Sequence, residues 1–146
     1  MESSQTVKRF TDSHLSGDWD DFNALCADDF TLIGPAPEPL DKQAFLTWVK
    51  SVYYGNTKIN NNVEIIESSG DTVKCNIQME GTHSNDWDLS FMGLGIIPAT
   101  NISWKNPKEE MIVSLRNGKV ANIKVFVPED GGISGIMSQL GVQIPE

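Results

Sequence analysis

Two alternating stretches joined by a two-residue turn constrain this chain more than anything else in it. From Glu109 to Leu115, Met111, Val113 and Leu115 share one parity; from Val120 to Val127, Ala121, Ile123, Val125 and Val127 share one. Successive side chains of a strand point to opposite faces, so each stretch has an apolar face and a polar face. Asn117-Gly118 lies between them. A type I′ turn needs positive φ at both central residues, and Asn-Gly supplies that at least cost. The segment is an antiparallel hairpin with one buried face.

A second hairpin precedes it. Ile59 to Ser68 reads as a strand with Val63 and Ile65 on one face, Ser69-Gly70-Asp71 as a turn, and Thr72 to His83 as the returning strand. Val73, Cys75, Ile77 and Met79 fall on one parity of that strand, and His83 carries the parity forward past Gly81. A titratable imidazole is thereby aimed at an apolar interior, and histidine changes charge near neutral pH.

The first third has helical period. Val7, Phe10, His14 and Leu15 recur at roughly helical spacing, and Ser16-Gly17 breaks the run. Asp18 is placed to cap a short second helix containing Trp19, Phe22 and Leu25. Phe30 to Ile33 reads as a short strand ended by Gly34-Pro35, and Asp41 as the N-cap of a third helix with Phe45, Trp48, Val49 and Val52 on its apolar face. Ile133 to Leu140 closes the chain as a helix. Helices first and long antiparallel strands afterwards define an α+β domain over residues 1–146, with helices on one face of a curved sheet. Ser84 to Ile102 is irregular and longer than an ordinary connection, as lids and binding loops are. Its apolar cluster Phe91, Met92, Leu94, Ile96 and Ile97 suits a lid, an edge strand or a contact between copies.

Charge narrows the function. Eleven Lys and Arg against twenty Asp and Glu leave a net charge of −9, and the basic residues are scattered singly. A nucleic-acid binder carries a basic patch or stripe, so nucleic acid and anionic membranes are excluded as partners. No apolar run approaches membrane-spanning length, and Met1-Glu2-Ser3-Ser4 opens no signal peptide; the expectation is a soluble, cytoplasmic protein. Cys26 and Cys75 form neither a disulfide framework nor a metal-ligand spacing, so no metal and no cofactor are expected.

The order of elements resembles the nuclear transport factor 2-like superfamily of cone-shaped α+β barrels, and within it the SnoaL-like polyketide cyclase family. Leu15-Ser16-Gly17-Asp18-Trp19 with Asp28-Asp29-Phe30, Gly81-Thr82-His83, Pro98-Ala99-Thr100-Asn101, Asn117-Gly118-Lys119-Val120 and Gln139-Leu140-Gly141 carry the likeness. The resemblance implies a curved antiparallel sheet with the N-terminal helices on its concave face and a short C-terminal helix. It also implies a pocket at the wide end of the cone and a homodimer formed through the outer sheet face. Family cyclases close a ring by intramolecular aldol condensation of a polyketide ester, with an aspartate at the end of the last strand acting beside a histidine. Counted without gaps from Gly118-Lys119, the aspartate position falls on Pro128; two further residues in the following segment place it at Asp130.

The candidate catalytic residues are therefore His83 and Asp130: the first to orient or protonate a carbonyl, the second a base whose pKa desolvation would raise. Bland roles compete with both, a core histidine bonded to backbone and a helix-capping acid. The candidate ligand contacts are Trp48, Tyr53, Asp86, Trp87, Phe91, Met111 and Phe126, a mostly aromatic set with few polar groups. A hydrophobic, oxygenated small molecule is the expected partner, processed by cofactor-independent acid/base chemistry. The competing readings are a module that binds a lipid, terpenoid or carotenoid without turnover, and a dimerising domain with a vestigial pocket.

Overall fold

The computed structural model describes residues 2–143. Its helices are α1 (Ser3–Ser16), α2 (Trp19–Leu25), α3 (Lys42–Gly55) and α4 (Gly132–Leu140). The caps are the expected ones: the Asp18 carboxylate accepts from the Asp21 N–H at 3.0 Å and the Asp41 carboxylate from the Ala44 N–H at 2.8 Å.

Six strands build the main sheet: β1 (Cys26–Ile33), β2 (Leu40–Asp41), β4 (Glu64–Ser69), β5 (Thr72–Ile77), β10 (Glu109–Arg116) and β11 (Lys119–Phe126), in the order β2-β1-β11-β10-β5-β4. A second sheet joins β3 (Thr57–Asn60), β6 (Glu80–Thr82) and β9 (Ser103–Lys105) in the order β3-β6-β9. A two-stranded pair, β7 (Trp87–Asp88) and β8 (Ile96–Ile97), lies in the segment left irregular by the sequence. The architecture is α+β as expected. The main sheet is mixed rather than wholly antiparallel, because β1 runs parallel to β11. Gly34 ends β1 at φ +127°, where a Cβ would sit 2.0 Å from the Val125 carbonyl oxygen. Only glycine fits that approach.

The two expected long strands, 59–68 and 72–83, are each divided. So is the passage from Ser103 to Arg116, and all three break along one line. β4, β5 and β10 lie side by side in one sheet, and their continuations β3, β6 and β9 keep the same order in the other. Polar side chains hold the fold line. The Gln78 N–H donates to the Asn61 carbonyl at 2.8 Å, and its side-chain amide donates to the Asn106 carbonyl at 3.1 Å. Asn62, at φ +46°, donates to the Gln78 carbonyl at 2.8 Å. Asn106 Nδ2 reaches the Gly132 carbonyl at 3.0 Å, and Gln139 Nε2 reaches Asn106 Oδ1 at 3.0 Å, which ties α4 to the corner. A sheet curves where its ladder is interrupted, and here three neighbouring strands are interrupted together.

The curvature divides the interior. One core gathers α1, α2, the first turns of α3 and the inner faces of β1, β5, β10 and β11, including Phe10, Phe22, Phe30, Phe45, Val73, Val113 and Val120. A second packs Trp87, Leu89 and Trp104 against Val52 of α3 and Ile133, Ile136, Met137 and Leu140 of α4. Among the described residues, no helix is long and apolar enough to cross a membrane.

Candidate functional site

Between α1, α3, α4 and the inner face of the sheet lies a cavity of about 890 Å³. Its walls are mainly apolar, with Phe10, Phe45, Trp48, Tyr53 and Phe91 among aromatic contributors and Met111, Ile123 and Val125 from the sheet. Two titratable side chains in them, Glu109 and His14, are shifted strongly by burial.

The first is Glu109. β10 alternates buried and less buried residues, and Glu109 shares the buried parity with Met111, Val113 and Leu115. It is the first residue past the fold line, paired with Ile77 of β5. The residue is 5% exposed, and no ion pair or side-chain hydrogen bond to its carboxyl is present among the described residues. Burial without a partner disfavours the anion and pushes this carboxyl up from its ordinary 4.5 to about 7. Its neighbour Glu110, on the other parity, faces outward and pairs with Lys74 at 3.4 Å.

The second is His14, one turn after Phe10 on α1. Its ring lies 4.8 Å from Phe10, 5.2 Å from Phe22 and 5.7 Å from Phe45 between centroids. Nε2 is enclosed and has no hydrogen-bond partner among the described residues. Burial lowers this imidazole to about 3, so at neutral pH it is uncharged and offers one donor and one acceptor.

His83 is buried as its parity requires, but in the second core and not on the cavity wall. Its ring lies 5.7 Å from Trp87. Nδ1 accepts from the Thr100 N–H at 3.3 Å and lies 2.9 Å from the Thr100 hydroxyl. A peptide N–H only donates, so Nδ1 carries no proton and the ring hydrogen is assigned to Nε2. The His83 N–H donates to the Ile102 carbonyl at 2.9 Å, and its own carbonyl accepts from the Asn101 N–H at 2.7 Å. His83 thus fastens the two ends of the segment from Ser84 to Ile102. Burial holds its pKa below the ordinary value, with the nearby carbonyls of Ile97 and Asn85 and the charge of Asp86 pulling the other way.

The other sequence candidates divide. Trp48, Tyr53, Phe91 and Met111 line the cavity. Trp87 is wholly buried in the second core, its indole N–H 3.5 Å from the Ser51 hydroxyl. Asp86 is exposed, and its carboxylate accepts from the Ala99 N–H at 3.0 Å. Asp130 is exposed and off the cavity wall, beyond the end of β11. Phe126 is 47% exposed with Lys124 Nζ 5.4 Å from its ring centroid; the parity that sends Ile123 and Val125 inward sends it out. The structure does not bring His83 and Asp130 into one cavity. The groups it does bring there, Glu109 and His14, each had a sequence signal: a glutamate on the apolar parity of a strand, and a histidine on the apolar stripe of a helix. Among the described residues, no group of three or more His, Cys, Asp or Glu is gathered as a metal site would need.

A mixed sheet curved over helices, not closed, around an apolar cavity is the architecture of nuclear transport factor 2-like proteins. The chain belongs to the SnoaL-like domain family, whose model matches residues 7–123. Solved structures repeat the fold. IdmH, a candidate polyketide cyclase from Streptomyces antibioticus, superposes with a TM-score of 0.71 at 22% identity, over 97% of this chain and 100% of its own. A candidate SnoaL-like polyketide cyclase from Jannaschia sp. CCS1 gives 0.73 at 15% identity, over 97% and 93%. AclR, a candidate hydroxylase from Streptomyces galilaeus, gives 0.70 at 11% identity, over 98% and 97%. No curated protein matches the chain.

Proposed function

We propose that this protein binds a hydrophobic, oxygenated small molecule in the cavity and moves a proton at a carbon next to its carbonyl. Glu109 is the base and neutral His14 the hydrogen-bonding partner of the oxygen through Nδ1, since Nε2 is enclosed. The observation that carries this reading is the Glu109 carboxyl, on the wall of an apolar cavity with no ion pair or hydrogen bond among the described residues, and pushed up to about 7 by burial. A general base works best with a pKa near the working pH. Abstraction of a carbon-bound proton leaves negative charge on the carbonyl oxygen, and a neutral imidazole N–H can stabilise that charge by donating to it. Ring closure and double-bond migration both begin with this step. The cyclase names of IdmH and the Jannaschia protein agree with it.

The test is hydrogen–deuterium exchange at the α carbon of β-tetralone in heavy water, followed by NMR. The wild-type protein is expected to accelerate exchange, and Glu109→Gln to abolish the acceleration while still binding the ketone. A wild-type protein that binds the ketone without accelerating exchange would instead be a carrier, and the catalytic reading would fall.

A further inference from the structure

The cavity is unusual in what it lacks. Among the described residues, no lysine or arginine lines it, and its histidine is uncharged at neutral pH. Its one buried charge-bearing group is Glu109; the other acid on the wall, Glu129, is exposed. The Asn106 amide, also on the wall, is already engaged with Gly132 and Gln139. A ligand carboxylate entering this space would shed its water and meet no charged counter-group, only the partial charge of the α4 N-terminus at Gly132, Ile133 and Ser134, while facing a full carboxylate in a medium where Coulomb forces act strongly. An ammonium would meet the opposite situation, with Glu109 as its ion pair and the faces of Phe10, Phe45 and Trp48 as apolar, electron-rich walls.

We propose that the cavity is a charge filter: it admits hydrophobic molecules that are uncharged or cationic and shuts out anions, and Glu109 is the residue that discriminates. This rests on the reading of the cavity as the ligand site, and it names the class of ligand that site takes. It also makes a carboxylic acid an unsuitable substrate and an ester, ketone or amine a suitable one.

Three probes sharing one apolar skeleton test it: methyl naphthoate, naphthoate and naphthylmethylamine, by equilibrium dialysis at pH 8 and physiological salt. The wild-type protein is expected to bind the ester and the amine at least about tenfold more tightly than the acid, the scale of one partly desolvated charge pair. Glu109→Gln should produce crossed changes, strengthening naphthoate and weakening the amine, with the ester little altered. Glu110→Gln makes the same change in charge one residue away on the outer face and should leave all three affinities unchanged. A general disturbance of packing moves all three probes together, so only a charge effect gives the crossed pattern. The filter is overturned if naphthoate binds the wild type as tightly as the ester, or if Glu109→Gln moves acid and amine in the same direction or not at all. If none of the probes binds, the cavity reading itself fails, and the filter with it.

Discussion

The molecule holds two interiors, each with a histidine whose pKa burial lowers, and they are built to opposite ends. The second core is filled. Trp87 and Trp104 stack at 6.4 Å, the Trp104 indole N–H donates to Asn56 Oδ1 at 2.8 Å, and Asn56 in turn donates to the Val52 carbonyl at 2.9 Å. Even Gly55 is used up, since a Cβ there would meet the Trp87 ring at 2.7 Å. The cavity opens where the first interior stops short of it: Val52, Ile133 and Ile136 at the edge of the second core and Phe10, Phe45 and Met111 of the first share its walls, with a carboxyl and an imidazole facing it. A buried histidine therefore does not mark a site in this protein. A polar group with free valences beside open volume does.

Truncation should separate the two most strongly. Trp104→Ala removes a ring from close packing and strands the Asn56 carbonyl, at a cost of about 3–5 kcal/mol. Trp48→Ala, on a wall that already borders open volume, should cost about half of that or less. Urea unfolding of both at pH 7 decides; equal costs would mean that the cavity is as tightly determined as the core.

Titration should separate them next. Glu109 is raised in the folded state, so folding takes up a proton between pH 4.5 and 7, and stability contributed by the neutral form is lost as pH rises through that window. His14 is lowered, so stability is lost as pH falls from 6.5 towards 3. Between pH 4.5 and 6.5 the two slopes oppose each other, each about 1.4 kcal/mol per pH unit. Glu109→Gln should unmask the acid loss, to which His83 adds, and be more stable than the wild type by about 3 kcal/mol above pH 7. His14→Leu should unmask the opposite slope, with stability falling as pH rises from 4.5 to 7. Thermal unfolding across pH 4–9 measures both. A pH profile unchanged by either substitution would place both groups in contact with bulk water and remove the premise of the site.

Much of the fold could be read from local pattern. Asn117-Gly118 takes φ +54° and +74° as its turn requires, and Asp18 and Asp41 cap the helices they precede. The fold line could not be read in the strand that carries His83, because its parity runs through the corner undisturbed: Ile77, Met79, Gly81 and His83 stay on the inner side although the sheet has changed beneath them. Nor could the parallel pairing of β1 with β11, which joins residues nearly a hundred positions apart. For the site, parity placed His83 inside without saying which interior. The same parity argument applied to Glu109 finds the group the cavity holds, since a glutamate in step with Met111, Val113 and Leu115 points to the inner face of the sheet.

The boundary between the two interiors runs through one short stretch, and the smallest predicted effect lies there. Trp87 and Leu89 are wholly buried in the filled core, while Phe91 and Met92, on a 3-10 turn at Ser90–Met92, are roughly half exposed and line the cavity. The stretch is pinned on its core side by the β7–β8 pairing and by the latch at His83, so its cavity side can change without loosening the fold. Phe91→Ala should therefore cost no more than about 0.5 kcal/mol in stability, the range of ordinary surface changes. It should nonetheless speed dissociation of methyl naphthoate several-fold in stopped-flow measurements, because a bound ligand loses part of its cover and affinity differences at one site are expressed mainly in the off-rate. A stability loss approaching that of Trp104→Ala would show that Phe91 belongs to the filled core after all, and that the dividing line between packing and site lies further along the chain.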